Sequence, residues 1–145
     1  MNVSLSELLK KREILQVERD SELAKKLLAV ATDGFKAAED NVKMGHNDVA
    51  LQLAYNSMLN AGRALMAAKG YRGSSETHHK TVVLFCSAIL PADSSSLVGA
   101  FNRFRVRRHD IVYGEIEGGS VGESEARSAI ATAREFLELI KSKSS

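Results

Sequence analysis

Residues 47–70 read NDVALQLAYNSMLNAGRALMAAKG, and this stretch decides the fold of the chain. Its apolar residues recur every three or four positions, which is the spacing of one face of a helix. Its many alanines, together with Gly62, allow neighbouring helices to approach it closely. We expect Asn47 or Asp48 to cap this helix and Gly70 to end it. The stretch therefore predicts a long helix at the centre of a helical bundle.

Amphipathic segments on both sides of this central stretch predict further helices. These segments cover about residues 3–17, 20–38, 76–90, 95–113 and 123–140. The sequence leaves open whether the first two segments form one helix. Only one proline interrupts the chain, and no segment shows the alternation of a strand. We therefore predict an all-α fold without a sheet, an up-and-down antiparallel bundle of four to five helices in one domain, residues 1–145.

The composition limits the classes of function that the chain can have. Of its 145 residues, 44% are hydrophobic and 26% are charged, and the formal net charge is only +2. A site for a polyanion must therefore be local, because the overall charge is too small to attract nucleic acid. The single cysteine, Cys86, excludes a disulfide within the chain and a zinc site built from cysteines. No apolar run reaches membrane-spanning length and no signal peptide is recognisable, which predicts a cytoplasmic protein without a membrane partner.

Residues 101–114, FNRFRVRRHDIVYG, form the densest cluster of positive charge in the chain. At helical spacing they combine an apolar stripe with a cationic side that carries Arg103, Arg105, Arg107 and Arg108. A guanidinium group donates two parallel hydrogen bonds and so suits phosphate, while the imidazole of His109 can transfer protons near neutral pH. The segment is therefore a candidate phosphate-binding helix. A solvated basic face is the alternative that this pattern leaves open.

A family resemblance rests on residues 54–86, AYNSMLNAGRALMAAKGYRGSSETHHKTVVLFC, and on the arginine-rich helix that follows them. The order Ala-Tyr, Ala-x-Arg-Ala-Leu, Ala-Lys-Gly-Tyr, a histidine-containing loop and Val-Leu-Phe resembles the HEPN domain family (higher eukaryotes and prokaryotes nucleotide-binding), in its small stand-alone prokaryotic branch. The resemblance covers about residues 51–114 and extends more loosely to the last helix. It implies a helical bundle that pairs as a homodimer and a minimal nucleotidyltransferase as partner in a toxin–antitoxin system.

The resemblance also implies an activity, since many HEPN proteins are metal-independent endoribonucleases whose sites from two subunits meet. Their motif is an arginine, a polar residue directly after it, and a histidine four to six positions further on. Arg108 and His109 match its start, but Tyr113 stands where the histidine is expected. A second alignment pairs Arg103 with His109 and places Phe104 in the polar position. Neither alignment completes the motif.

The chemistry of RNA cleavage suggests roles for these side chains. Cleavage without a metal needs a base, an acid and a cation that stabilises the charge on the phosphorus centre. His109 can be the base or the acid, and Arg108 can stabilise charge, whereas an ordinary tyrosine with a pKa of about 10 is a poor base. We therefore assign Arg108, His109 and Tyr113 as candidate catalytic residues. The candidate residues for binding RNA or phosphate are Arg103, Arg105 and Arg107.

The remaining histidines do not predict a metal site. His78 and His79 are adjacent, and adjacent helical side chains point about 100° apart, so they rarely bind one ion. With His46 they are expected on the surface, near the arginine cluster in the case of His78 and His79. Arg63 is expected in a structural ion pair or in the same groove as Arg108. We expect no metal and no cofactor.

Two functions therefore remain open. In the first, the chain is a toxin–antitoxin component that binds RNA through its arginine-rich helix, or cleaves it as an endoribonuclease. In the second, it is a non-enzymatic dimeric binding module for a nucleotide or for a nucleotidyltransferase partner.

Overall fold

The computed structural model describes residues 3–75, 78–114 and 120–144. Within these ranges six α-helices are joined by short connections, with two short strands and a 3₁₀ turn over Ala92–Ser94. The helices are α1 (Leu5–Lys10), α2 (Ser21–Lys43), α3 (Asn47–Lys69), α4 (His79–Ile89), α5 (Ser95–Tyr113) and α6 (Glu123–Lys143). The strands are β1 (Ile14–Gln16) and β2 (Tyr71–Gly73). The predicted all-α bundle is confirmed.

Helix α3 lies at the centre of the bundle, as its small residues predict. It packs against α2, α4, α5 and α6, and more than half of its residues are buried. The close approach to α4 depends on Gly62, where a Cβ atom would lie 2.6 Å from Cγ1 of Val82. The helix ends at Gly70, whose φ of 86° is a left-handed conformation that favours glycine.

The start of α3 differs from the prediction. The N-cap residue is His46, whose side chain makes no capping hydrogen bond, so neither Asn47 nor Asp48 caps the helix. Instead, the carboxylate of Asp48 accepts a hydrogen bond from the backbone N–H of Val121 at 3.2 Å. Asp48 therefore fastens the segment before α6 to the first turn of α3.

The expectation of a fold without a sheet is wrong for two three-residue segments. Strand β1 separates α1 from α2, which are therefore two helices, and it pairs antiparallel with β2. Ile14 pairs with Gly73 and Gln16 pairs with Tyr71, and the buried side chain of Ile14 anchors the ribbon to the core. Segments of three residues are too short for hydrophobic periodicity to distinguish them from a loop.

The second half of the chain follows the predicted helices closely. Helix α5 ends before Gly114, whose φ is 70°. The prediction began α4 at Glu76, which lies outside the described residues; among the described residues the helix begins at His79. In the core, the ring of Phe101 on α5 contacts the ring of Phe136 on α6 at a centroid distance of 4.9 Å. None of the helices in the described ranges is both long and apolar enough to cross a lipid bilayer.

Candidate phosphate-binding groove

A groove of about 940 Å³ lies where the α1–β1 connection, the start of α4 and the second half of α5 meet. Five cationic side chains, three imidazoles, one phenol and one carboxylate are among its described lining residues. They are Lys11, Arg12, Lys80, Arg105, Arg108, His78, His79, His109, Tyr113 and Glu13. Half of these groups carry positive charge and most can donate hydrogen bonds, so the groove is suited to an anion with several charged groups.

Arg108 is a half-buried cation of this groove. Its Nε atom is inaccessible to solvent and has no hydrogen-bond partner among the described residues. Leaving a buried donor unpaired costs about 1–3 kcal/mol, and more when the group is charged. Arg105, three residues earlier on the same face of α5, also lines the groove and donates a hydrogen bond from Nε to Asn102 at 3.0 Å. The guanidinium of Arg108 lines the groove as a positive charge without full local compensation, which an anion in the groove would supply.

A tyrosine–histidine pair links the groove to the core. The hydroxyl of the fully buried Tyr55 lies 3.0 Å from Nδ1 of His79, at the first residue of α4. Burial raises the pKa of Tyr55 to about 12, although Arg105, Arg108 and Arg63 favour the phenolate and limit the rise. Burial also lowers the pKa of His79, and the same three guanidinium groups lower it further. Both side chains are therefore neutral at pH 7.

Four of the predicted site residues come together in the groove. Arg105, Arg108, His109 and Tyr113 all line it, and the rings of His109 and Tyr113 are in contact at a centroid distance of 4.5 Å. A tyrosine ring against the imidazole restricts the orientation of His109. The side chains that the sequence assigned to catalysis thus share one surface with a candidate phosphate-binding arginine.

The two other predicted arginines lie elsewhere. Arg107 donates two hydrogen bonds to the carboxylate of Glu125 on α6, and Arg103 is exposed, with its guanidinium 5.9 Å from the centre of the Phe104 ring. Neither is among the described residues that line the groove. Helical spacing predicts this separation of the arginines, because residues 105 and 108 lie on one face of α5 while residues 103 and 107 lie on another.

His78 and His79, which were expected near the arginine cluster, line the groove with Arg105 and Arg108. The sequence analysis missed the contact of His79 with Tyr55, and it missed Lys11 and Arg12, which reach the groove from the α1–β1 connection. No local pattern identifies them, because the contacts join segments that are distant along the chain. In the described part of the chain, no group of three or more His, Cys, Asp and Glu residues could hold a metal ion.

The fold and the groove together define a small helical-bundle domain with a cationic, histidine-containing site. The family model of the HEPN domain matches residues 24–143. The chain belongs to the HEPN domain family. A search of curated proteins found no match. The matched region begins inside α2 and ends at the last residue of α6, so α1, β1 and the Lys11–Arg12 side of the groove lie outside it.

Proposed function

We propose that this HEPN domain binds RNA in the groove and acts as the RNA-directed component of a toxin–antitoxin pair. The observation that carries this proposal is the buried Nε of Arg108, which lacks a hydrogen-bond partner among the described residues and belongs to a side chain of the groove. The guanidinium that carries this donor lacks full local compensation, and a phosphate in the groove would contact that guanidinium through charge-assisted hydrogen bonds. Because RNA is the anion in question, the proposal places the protein in the cytoplasm.

The distribution of charge favours an RNA strand over a single phosphate. The cations come from three separate segments, with Lys11 and Arg12 before β1, Lys80 on α4, and Arg105 and Arg108 on α5. Cations spread along a groove can contact successive phosphates of a backbone, whereas one phosphate group would engage only one or two of them.

The side chains beside Arg108 support cleavage as well as binding. His109 can donate or accept a proton, and the guanidinium of Arg108 can stabilise the negative charge that develops on the phosphorus centre. We therefore propose a metal-independent endoribonuclease activity. The second candidate function is a non-enzymatic module that binds a nucleotide or a nucleotidyltransferase. It is favoured by one observation, which is that Tyr113 occupies the position of the histidine in the family motif.

We also propose that the protein is a homodimer and that α5 contributes to the interface. Val106, Val112 and Tyr113 on this helix are 46%, 43% and 64% exposed, which leaves apolar surface uncovered in the single chain. Burial of such surface against a second copy is favourable. Light scattering over a dilution series tests this proposal, because a mass that stays monomeric at micromolar concentration would contradict it.

The proposed function is tested with a labelled single-stranded RNA and the full chain in the presence of EDTA. We expect binding whose affinity falls as the salt concentration rises, because phosphate contacts release bound counterions. Charge reversal in the groove, Lys80→Glu, should weaken binding more than Lys141→Glu, which makes the same change at the exposed end of α6. The appearance of RNA fragments distinguishes the endoribonuclease from the binding module. RNA binding that is absent, or that is independent of salt, would contradict the RNA-directed function and would favour the second candidate, the module that binds a nucleotide or a nucleotidyltransferase.

A further inference from the structure

The groove holds a second histidine, supplied by a different helix from His109. His79 begins α4, whereas His109 lies on the last turns of α5, and both line the same groove of one chain. Arg108, the candidate charge-stabilising residue, lines it with them. One chain therefore presents two imidazoles on one surface, together with a guanidinium whose Nε lacks a hydrogen-bond partner among the described residues.

The orientation of His79 is fixed by its contact with a buried residue of the core. Its Nδ1 lies 3.0 Å from the hydroxyl of Tyr55, and the two rings are in contact at a centroid distance of 5.7 Å. Tyr55 is fully buried, and its ring also contacts Phe101 at 5.9 Å. Because Nδ1 is engaged by Tyr55, Nε2 is the nitrogen of His79 that is left for a ligand.

We propose that His79 is a catalytic residue of this groove, that it accepts the proton of the attacking 2′-hydroxyl of RNA through Nε2, and that His109 of the same chain protonates the leaving oxygen. The proposal rests on the proposed endoribonuclease activity and deepens it. Tyr55 is a positioning residue, since it contacts His79 and not the substrate. In this arrangement the Nδ1–H of His79 donates its hydrogen bond to the oxygen of Tyr55.

The step balances with the groups of the groove alone. The 2′-oxygen loses its proton to His79 and forms a bond to phosphorus, while the bond between phosphorus and the 5′-oxygen breaks. The 5′-oxygen takes a proton from the imidazolium of His109. The products are a 2′,3′-cyclic phosphate and a 5′-hydroxyl, and the two histidines have exchanged protonation states.

The surroundings of His79 suit a base more than an acid. Burial and the guanidinium groups of Arg63, Arg108 and Arg105 lower its pKa, so the imidazole is neutral at pH 7 and can accept a proton. Glu13 is the one carboxylate among the described residues of the groove. Two of these guanidinium groups, those of Arg105 and Arg108, also line the groove, where they would hold the phosphate beside His79.

The experiment measures cleavage of a labelled RNA by the wild-type protein and its histidine variants. We expect His79→Ala to reduce the cleavage rate by about 100-fold or more, which is the usual contribution of a general base. His79→Asn keeps a hydrogen-bonding atom near the position of Nδ1 and should be equally slow. His46→Ala, a histidine outside the groove, is the matched control, and thermal melting shows whether each variant is folded. Tyr55→Phe should lower kcat with little change in KM and should move the acidic limb of the pH profile to lower pH.

Mixed dimers test whether one chain holds both residues. His79→Ala and His109→Ala chains, copurified with different tags, should remain inactive because neither groove has both histidines. Recovery of activity in the mixed dimer would overturn the proposal, since it would show that the histidines act across the interface. Cleavage that persists in folded His79→Ala and His79→Asn would also overturn it. A wild-type protein that binds RNA without cutting it would remove the endoribonuclease activity and this inference with it, whereas RNA binding would stand.

Discussion

The guanidinium of Arg107 donates two hydrogen bonds to the carboxylate of Glu125, at 2.9 and 3.1 Å, and so joins α5 to α6. Arg108, the next residue, instead lines the groove and has a buried Nε without a hydrogen-bond partner among the described residues. Successive helical side chains point about 100° apart, which separates these two neighbours. One arginine of the pair therefore stabilises the bundle, and the other is available to a ligand.

The Arg107–Glu125 ion pair predicts a defect in stability. Arg107→Ala should lower the free energy of unfolding by about 1 kcal/mol, because the pair is bidentate and partly buried rather than fully exposed. The affinity for RNA should change little. Urea denaturation measures the first effect, and a double-mutant cycle with Glu125→Ala isolates the interaction. An equal loss from Arg107→Ala in the wild type and in the Glu125→Ala background would show that the two residues do not interact.

Arg12 predicts effects of opposite sign on stability and binding. The φ of Arg12 is 58°. Its backbone N–H donates a hydrogen bond to the carbonyl of Leu9, and the backbone N–H of Glu13 donates one to the carbonyl of Leu8. This is the helix-ending motif that favours glycine at the position of Arg12. Arg12→Gly should therefore raise the stability by about 1 kcal/mol, because an L-residue is strained there. The same change should weaken RNA binding, since it removes a cation of the groove.

Arg12→Lys is the control for charge, because it keeps a cation without relieving the backbone strain. It should bind RNA more tightly than Arg12→Gly while remaining less stable. Binding by Arg12→Gly that equals that of the wild type would show that this side of the groove takes no part.

Two glycines in helices predict opposite effects of the same substitution. At Gly62 a Cβ atom would lie 2.6 Å from Val82 and 3.3 Å from Cys86, whereas at Gly99 nothing lies within 4 Å. Gly62→Ala should destabilise the fold by about 1–3 kcal/mol through overpacking between α3 and α4. Gly99→Ala should stabilise it by about 0.5–1 kcal/mol, because alanine is the better helix former. Chemical denaturation measures the free energy of unfolding of both variants. A Gly62→Ala variant as stable as the wild type would contradict the close packing of α3 against α4.

The buried thiol and phenol predict a loss of stability at high pH. Burial raises the pKa of Cys86 from 9.0 to about 12, and that of Tyr55 from 10.0 to about 12. The unfolded chain releases both protons at the lower values, so the contribution of these two groups to stability is constant below about pH 9 and falls between there and about pH 12. Cys86→Ala should make this fall less steep, as measured by denaturation across the range. A slope identical to that of the wild type would show that Cys86 does not contribute.

The helices could be predicted from the sequence because their hydrophobic periodicity persists over many turns. The central position of α3 follows from its alanines and from Gly62, and its end follows from Gly70. The β1–β2 ribbon could not be predicted, since Ile14 and its partner Gly73 are 59 positions apart and each strand is three residues long. Pairing between such distant short segments is decided by tertiary packing and leaves no periodic signal.

The groove could be predicted only in part. Arg108, His109 and Tyr113 were found because they are neighbours on one helix. The contact between Tyr55 and His79 joins two helices, and its residues are individually unremarkable in the sequence. The assignment of arginines to phosphate binding was too broad. It included Arg103 and Arg107 because it used the density of arginines in the segment and not the direction of each side chain around α5.

The central claim, that the groove binds RNA through Arg108, is tested most directly by comparing Arg108→Ala with Arg103→Ala. Both variants remove one positive charge from α5, but only Arg108 lines the groove. The affinity for a labelled single-stranded RNA should fall about tenfold or more in Arg108→Ala, with a shallower dependence on salt, and should change less than about twofold in Arg103→Ala. Equal affinities in the two variants, with both folded, would contradict the account and would make α5 a structural or dimer-forming helix.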